Sequence, residues 1–421
     1  MSLPFFRLLL VSLLLAICYP ARAQVAGRLD SLQAAYPFLH TSANRIENAQ
    51  IGLQRFYQRL EQLPRHWAGL PPPGRRVSVV HLGDSHVQAD EFSGRVRQEL
   101  QRSYGNAGRG LVFPYRVART NGSPTVRTAT RSGQWQARRV LAAPDSLLPI
   151  GLSGLSLATS DLDATFTLRI PSLPGPDYRF SKLTLLRQPG PAAFDWQLRE
   201  AHGRLLGTLP GDTPGLASAL LFDSLRSFVE LSAARTSPRQ TNGLLYGLLL
   251  ENGQAGLFYN AIGVNGAAVR HYNRAPLFFE QMPVLQPDLF IISLGTNDAY
   301  ERDFDAVLFA QQLDTLVSRL RRRCPQADVL LTAPADSYRA RRYRNPDLAR
   351  LRTVLRAYCQ QHDLAYWDFA AVQGGYGSMR AWQARGLAQA DLVHFTPKGY
   401  DVQGLLLYLA LQDGFASLPH R

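Results

Sequence analysis

Lysine, cysteine and methionine are scarce in this chain of 421 residues. It holds three cysteines and three methionines, and its only lysines are Lys182 and Lys398. The cysteines show no metal-ligand spacing, which argues against a zinc site, and the sequence leaves open whether Cys324 and Cys359 form a disulfide. The 46 basic residues are therefore almost all arginine, and the formal net charge is +14. A protein this basic suits anionic partners such as glycans, lipid head groups or nucleic acid.

A hydrophobic run long enough to span a membrane is also absent. The run from Leu8 to Ile17 is well short of the roughly 20 residues that a spanning helix needs. It follows Arg7 and precedes Ala21-Arg22-Ala23, which has the small-x-small form of a signal-peptidase site. We therefore predict that residues 1–23 are a removed signal peptide, with a membrane anchor as the alternative. The mature protein is then periplasmic or extracellular, without stable insertion in the membrane.

The arginines show no signature of a nucleic-acid-binding protein. They are scattered, and short runs occur only at Arg321–Arg323 and within residues 339–344. No helix-turn-helix, zinc or base-stacking motif accompanies them. We expect no nucleic-acid partner.

Short apolar runs alternate with helical patterns in two parts of the chain. Strands are predicted over Val77–Leu82, Ala255–Asn260, Asp288–Leu294 and Ala327–Ala333, and helices over Ser42–Leu63 and Glu91–Tyr104. Alternating strands and helices predict an α/β fold whose parallel sheet is covered on both faces. Functional sites in such sheets lie beyond the carboxyl ends of the strands.

The stretch between these two parts has a different pattern. Short alternating runs are separated by clusters of Pro, Gly, Asp and Ser, which predicts an inserted β-sandwich. We divide the chain into the signal peptide (1–23), the first part of the α/β domain with its N-terminal helix (24–114), the insertion (115–249) and the second part of the α/β domain (250–421).

Four polar clusters follow predicted strands or lie in the last loop. They are Gly83–His86, Gly263–Gly266, Gly295–Asp298 and Asp391–His394. Acyl transfer requires a serine activated by a base, a carboxylate that orients the base, and donors for the oxyanion. The four clusters together contain each of these groups.

Each group can be assigned to a residue. Ser85 is the candidate nucleophile, His394 the base, and Asp391, three residues earlier, its orienting carboxylate. The candidate oxyanion donors are the backbone N–H groups of Ser85 and Gly266 and the side-chain amide of Asn297. Gly263 is a rival to Gly266 for the same role. No metal or organic cofactor is expected.

The four clusters, in this order, resemble the sequence blocks of the SGNH or GDSL hydrolase superfamily. The resemblance implies a three-layer α/β/α, flavodoxin-like fold and the roles given above for Ser85, Gly266, Asn297, Asp391 and His394. It covers residues 77–110 and 258–400 and leaves the insertion outside.

One position departs from the superfamily pattern. His86 stands where leucine is usual, and it is either a hydrogen-bonded residue of the first helical turn or a substrate contact. Asp84 is expected to brace the loop, and His81 to be a satisfied histidine of the core.

The first two blocks, the export signal and the β-rich insertion resemble bacterial peptidoglycan O-acetylesterases. This resemblance implies a secreted acetylesterase acting on an O-acetylated glycan, possibly peptidoglycan. Trp135 and Trp196 of the insertion are candidates for stacking on sugar rings, with a place in the core as the alternative. A glycan O-acetyltransferase with the same triad and a noncatalytic glycan-binding protein are the other functions considered.

Overall fold

The computed structural model describes residues 22–63, 75–144, 148–301 and 303–417. Most of the predicted signal peptide and the Pro71–Gly74 linker lie outside these ranges. Within them, no helix is both long and apolar enough to cross a bilayer.

The strands are numbered in chain order. They are β1 (Ile46–Glu47), β2 (Arg76–Gly83), β3 (Gly108–Val112), β4 (Arg127–Ser132), β5 (Gln136–Arg139), β6 (Leu155–Thr159), β7 (Thr165–Arg169), β8 (Phe180–Arg187), β9 (Asp195–Arg199), β10 (Leu205–Leu209), β11 (Ala217–Arg226), β12 (Phe228–Ala234), β13 (Gly243–Glu251), β14 (Gly256–Gly263), β15 (Leu289–Ser293), β16 (Asp328–Thr332), β17 (Tyr338–Arg339), β18 (Tyr343–Arg344) and β19 (Ala365–Trp367).

The helices are numbered in the same way. They are α1 (22–35), α2 (Ala49–Gly52), α3 (Gln54–Glu61), α4 (Ser85–Gln88), α5 (Phe92–Tyr104), α6 (Val269–Asn273), α7 (Pro276–Gln281), α8 (Thr296–Tyr300), α9 (Ala306–Arg323), α10 (Asp347–Gln361), α11 (Phe369–Val372), α12 (Met379–Ala384) and α13 (Pro397–Ala416). Short 3-10 helices cover Thr41–Ala43 and Met282–Leu285.

A six-stranded sheet forms the centre of the α/β part, with the order β1-β19-β16-β15-β2-β14. All neighbours are parallel except β1, which runs antiparallel to β19. In chain order the parallel strands follow the 2-1-3-4-5 arrangement of flavodoxin-like folds. The order of the sheet changes direction at β2, so the carboxyl end of β2 is the expected place for a site.

Both faces of this sheet are buried. Val77 and Val79 of β2 pack with α5 and α13, whereas Val80 and Leu82 pack into a second core with α9 and α10. Alternate side chains of a strand point to opposite faces, so helices cover the sheet on both sides. This agrees with the predicted α/β fold and its parallel sheet.

Two antiparallel sheets lie between the two halves of the α/β part. One has the order β10-β9-β12-β7-β4, and the other has the order β11-β8-β13-β6-β5 with β3 also paired to β13. Apolar side chains from both sheets, such as Phe166 and Leu185, share one hydrophobic core. β3 lies before the predicted start of the insertion, yet it pairs with the last strand of the β-rich stretch.

The N-terminal helix predicted over Ser42–Leu63 is wrong as a single helix. Asn48 adopts a left-handed conformation (φ 57°) and Leu53 has φ −125°, so the segment is broken into α2 and α3. Upstream, β1 joins the edge of the central sheet. The apolar periodicity still has a physical basis, because Phe56 and Leu60 are buried on one face of α3.

Candidate active site

The candidate triad is assembled from two distant parts of the chain. Ser85 is the first residue of α4, directly beyond the carboxyl end of β2, and its hydroxyl donates to Nε2 of His394 over 2.9 Å. Nδ1 of His394 donates to Oδ2 of Asp391 over 2.7 Å. The second bond fixes the tautomer that leaves Nε2 free to accept the serine proton.

Asp391 is held as a carboxylate. Its Oδ1 accepts the backbone N–H groups of Val393 (2.9 Å) and His394 (3.0 Å). Partial burial opposes ionisation, but the hydrogen bonds from the His394 ring and from these two backbone groups lower the pKa of Asp391 below its ordinary value. It therefore keeps its charge at the pH at which His394 must act as a base.

A strained residue shapes the loop that carries Asp391 and His394. Leu392 has φ 58°, a value uncommon for a side chain larger than glycine, and it is buried. Its N–H donates to the carbonyl of Gln389, and its own carbonyl accepts from Tyr338. These contacts hold the tight turn that brings the two catalytic side chains within hydrogen-bonding distance.

The candidate oxyanion residues line the same cleft as Ser85 and His394, which has a volume of about 440 Å³. Gly266 adopts φ 79° and follows β14, while Asn297 lies on the first turn of α8, after β15. Gly263 does not line the cleft. It is the last residue of β14, and a Cβ atom there would meet the backbone of Gln88 at 2.2 Å. We therefore assign Gly263 to close packing.

The side chain of Asn297 is already bound at two points. Its Nδ2 donates to the carbonyl of Ala267 over 3.0 Å and to Oδ2 of Asp84 over 3.2 Å. Asp84 is fully buried and also accepts from the backbone N–H of His86 over 3.0 Å. Burial raises the pKa of Asp84 to about 6, although the bond from His86 and the nearby His394 oppose the shift. Asp84 thus braces the loop and orients Asn297.

His86 lies behind the triad and not in the cleft. It is buried, its Nδ1 is bonded to the Tyr400 hydroxyl at 2.9 Å, and its ring lies 5.2 Å from the ring of His394. Burial lowers the pKa of His86 to about 3, so it stays neutral beside the base. Of the two interpretations of His86, the hydrogen-bonded residue of the first helical turn agrees with this position and the substrate contact does not.

His81 has the core position expected for it. Its ring bonds the Tyr259 hydroxyl at 2.7 Å and the Ser293 hydroxyl at 2.8 Å inside the central sheet. Burial lowers the pKa of His81 to about 3.

The structure does not bring the two tryptophans to the cleft. Trp196 is only 1% exposed, and its ring stacks on Trp135 with centroids 6.1 Å apart. Trp135 also makes an edge contact with Phe166. The expectation that Trp196 stacks on a sugar is wrong, because its ring is enclosed in the core of the insertion, and Trp135 packs against it.

Several residues in or beside the cleft carried no recognisable motif. Gln88, on α4, accepts the backbone N–H of Asn265 over 2.6 Å. Its own amide donates to Thr120 (3.0 Å) and to the carbonyl (2.8 Å) and side chain (2.9 Å) of Asn121. Asn121 in turn bonds the side chain of Asn265. These contacts join the Gly266 loop to the start of the insertion, and only the folded geometry reveals them.

The described part of the chain contains neither a disulfide nor a metal-binding cluster. Cys324 and Cys359 are both free and buried. Among the described residues, no three His, Cys, Asp or Glu side chains are grouped closely enough to hold a metal ion.

The chain is similar to one protein family and to several solved structures. The sequence model of the GDSL-like lipase/acylhydrolase family matches residues 227–402, which include Gly266, Asn297, Asp391 and His394 but not Ser85. No curated protein sequence matches the chain.

A solved structure of a peptidoglycan O-acetylesterase aligns with 90% of this chain and 98% of its own, at 22% identity and a TM-score of 0.68. A family two carbohydrate esterase from Cellvibrio japonicus aligns with 69% of this chain and 98% of its own, at 13% identity and a TM-score of 0.30. A lipase/acylhydrolase from Enterococcus faecalis aligns with 38% of this chain and 77% of its own, at 20% identity and a TM-score of 0.28. The first of these similarities identifies the fold. The family match over residues 227–402 and the shared fold together support an SGNH-type carboxylic ester hydrolase that resembles peptidoglycan O-acetylesterases.

Proposed function

We propose that this protein is a secreted serine esterase that removes O-acetyl groups from a glycan, and that the glycan is peptidoglycan. The observation that carries the proposal is the continuous hydrogen-bonded chain from Ser85 through His394 to Asp391 at the carboxyl end of β2. The similarity in fold to a peptidoglycan O-acetylesterase, over 90% of the chain, supports the choice of substrate.

The first half-reaction forms an acetyl-enzyme. The Ser85 oxygen attacks the carbonyl carbon of the acetyl ester while Nε2 of His394 takes the serine proton. The resulting tetrahedral intermediate collapses, the bond to the sugar oxygen breaks, and His394 returns the proton to that oxygen. Asp391 stabilises the imidazolium ring that exists between these two steps.

The second half-reaction releases acetate. A water molecule gives a proton to His394 and attacks the acetyl carbon, and the bond to Ser85 then breaks as the serine regains its proton. The backbone N–H groups of Ser85 and Gly266 and the amide of Asn297 donate to the oxyanion in both steps. To donate to the oxyanion, the Asn297 amide shares or gives up its hydrogen bond to Asp84, which at 3.2 Å is the longer of its two bonds.

We infer that residues 115–249 form an inserted β-sandwich domain between the two parts of the catalytic domain, 24–114 and 250–421. The two antiparallel sheets with a shared core support this division. Asn121, near the start of the insertion, lines the cleft. This position supports a carbohydrate-binding role for the domain.

Acetate release tests the proposed function. The mature protein and Ser85→Ala are assayed on O-acetylated peptidoglycan, O-acetylated xylan and a small chromogenic acetate. We expect release that depends on Ser85 and is fastest on peptidoglycan. Equal rates on peptidoglycan and xylan would remove the substrate assignment, and transfer of acetyl to an added sugar with little free acetate would identify a transferase.

A further inference from the structure

A second cavity, of about 790 Å³, adjoins the catalytic cleft. Ala89 and Asn121 line both spaces, so the two spaces are adjacent. One wall comes from the segment after Ser85, and the opposite wall comes from the first residues of the insertion, including Arg127 on β4. This cavity is larger than the cleft and has no part in the acyl-transfer chemistry.

The cavity is rich in positive charge that the protein does not neutralise. Arg116, Arg119 and Arg127 line it and are exposed. Within the described residues, none of these three guanidinium groups has a carboxylate within ion-pairing distance. Three unpaired arginines around one cavity are an arrangement that suits a ligand carrying negative charge.

A buried charge cluster beneath the cavity adds to this potential. The carboxylate of Asp90 lies between Arg97 (2.7 Å) and Arg109 (2.5 Å), so two buried positive charges face a single negative one. Arg109 lines the cavity, and its Nη1 has no hydrogen-bond partner among the described residues. A buried donor without a partner is costly, and a bound anion or an ordered water would satisfy it.

The acidic side chains near the cavity do not cancel this charge. Asp90 and Glu91 are the only carboxylates that line it, against four arginines. Asp90 is already shared by two guanidinium groups, and burial raises the pKa of Glu91 above its ordinary value. The cavity therefore has a net positive potential next to the nucleophile.

We propose that this cavity is a subsite for a carboxylate of the glycan whose acetyl group lies at Ser85, with Arg116, Arg119 and Arg127 as its binding residues. The proposal rests on the proposed esterase function and deepens it, because it defines the substrate class as an O-acetylated glycan that carries negative charge near the ester. A neutral acetylated polymer fills the cleft but leaves these arginines without a partner.

The test compares one substrate with and without its charge. Soluble O-acetylated peptidoglycan fragments are used with free carboxylates and after conversion of the carboxylates to methyl amides. We expect kcat/KM of the wild type to be about tenfold or more higher for the charged fragments, mainly through KM, and this preference to weaken in 0.5 M salt. The triple variant Arg116→Gln/Arg119→Gln/Arg127→Gln should lose the preference, and the corresponding triple lysine variant should retain part of it.

A control and a binding measurement separate the subsite from the esterase function. Arg239→Gln changes an exposed arginine outside the cavity and should leave the preference intact. Equal kcat/KM for both fragments in an active wild-type enzyme would overturn the subsite while leaving the esterase in place. Calorimetric titration of Ser85→Ala with the same two fragments does not depend on turnover. Equal affinity for both fragments would overturn the subsite even if no acetate release is found. Tighter binding of the charged fragment would support the subsite if the triple glutamine substitution abolishes that difference.

Discussion

Asn297 is oriented before any substrate binds, because Ala267 and Asp84 hold its amide in place. Such preorganised donors act mainly in the transition state. We predict that Asn297→Ala lowers kcat on a chromogenic acetate by about 10² to 10³, with a much smaller change in KM. The exposed Asn242→Ala serves as the control. A kcat close to that of the wild type would exclude Asn297 from the oxyanion hole.

A buried carboxylate next to Asn297 makes stability depend on pH. Asp298 accepts the backbone N–H of Val269 over 3.1 Å, and burial raises its pKa to about 7. The folded state therefore holds a proton that the unfolded state has released, so the contribution of Asp298 to stability is present below about pH 4 and is lost as the pH rises to about 7. We predict that Asp298→Asn removes this loss.

Urea unfolding at pH 5, 6, 7 and 8 measures the effect of Asp298. Relative to the wild type, Asp298→Asn should gain stability between pH 5 and 7 and level off toward pH 8, since the amide never ionises and Asp298 is ionised in both states above its folded pKa. The exposed Asp30→Asn should follow the wild-type profile. Parallel profiles for Asp298→Asn and the wild type would show that Asp298 is ionised in the folded protein throughout this range.

The sequence points to the candidate triad more directly than to the residues that support it. Ser85, His394 and Asp391 are recognisable because acyl transfer demands these residue types, with Ser85 directly after a strand and the other two in the last loop. The supporting positions of His86 and Gln88 depend on Tyr400, Asn121 and Asn265, which come from other elements. Spacing along the chain gives no distances between such elements, so these roles require the fold.

At the scale of elements, α4 is fixed to its neighbours through Gln88. This side chain joins the Gly266 loop, through Asn265, to the loop that contains Asn121. We predict that Gln88→Ala lowers kcat by about tenfold, because the oxyanion donor of Gly266 loses its support. Gln98→Ala, on α5, is the matched control. Wild-type kcat in Gln88→Ala would show that the loop holds its shape without this bond.

The turn between α4 and α5 contains a buried ionic cluster. Asp90 adopts φ 59° and receives two bonds from Arg97 and one from Arg109. Removal of its charge leaves two buried guanidinium groups without a counter-ion. We predict that Asp90→Asn lowers the free energy of unfolding by about 3–5 kcal/mol.

Urea denaturation of Asp90→Asn and of the control Asp223→Asn tests this cluster. Asp223 pairs with Arg226 but its side chain is 81% exposed, and exposed ion pairs contribute little to stability because water and salt screen them. Similar losses in the two variants would contradict the role given to burial.

The predicted elements of the α/β part are confirmed where strands are buried on both faces. β2, β15 and β16 agree with the predicted runs to within a residue or two at each end. The prediction of one helix over Ser42–Leu63 is wrong, because a 3.6-residue apolar period does not reveal a left-handed residue such as Asn48. β19 was not predicted, since a three-residue strand is too short to show a period.

At the scale of the whole molecule, the chain couples a parallel sheet to two antiparallel sheets beside the catalytic cleft. β3 pairs with β13, and β14 follows β13 directly, so the two parts are joined through adjacent strands. This arrangement gives the proposed subsite one wall from each part. The composition predicted the basic character of the molecule, but only the fold places unpaired arginines around one cavity.

The proposed removal of residues 1–23 during export can be tested separately. If residues 1–23 are removed, the mature protein begins at Gln24 and keeps Val25, which is buried, and Arg28, which pairs with Glu99 at 3.1 Å. N-terminal sequencing of the protein from the medium or periplasm should therefore begin at Gln24. Ala23→Arg should block cleavage. An intact Met1 on protein retained in the membrane would support an anchor.

The most direct test of the central claim is detection of the acetyl group on Ser85. The enzyme is mixed with O-acetylated peptidoglycan fragments, quenched in acid within milliseconds to seconds, digested and analysed by mass spectrometry. We predict transient acetylation of the peptide that contains Ser85, with fragmentation placing the group on that residue and none in Ser85→Ala. Acetate release with no acetyl on Ser85, or equal acetylation in the variant, would contradict a serine nucleophile at this position.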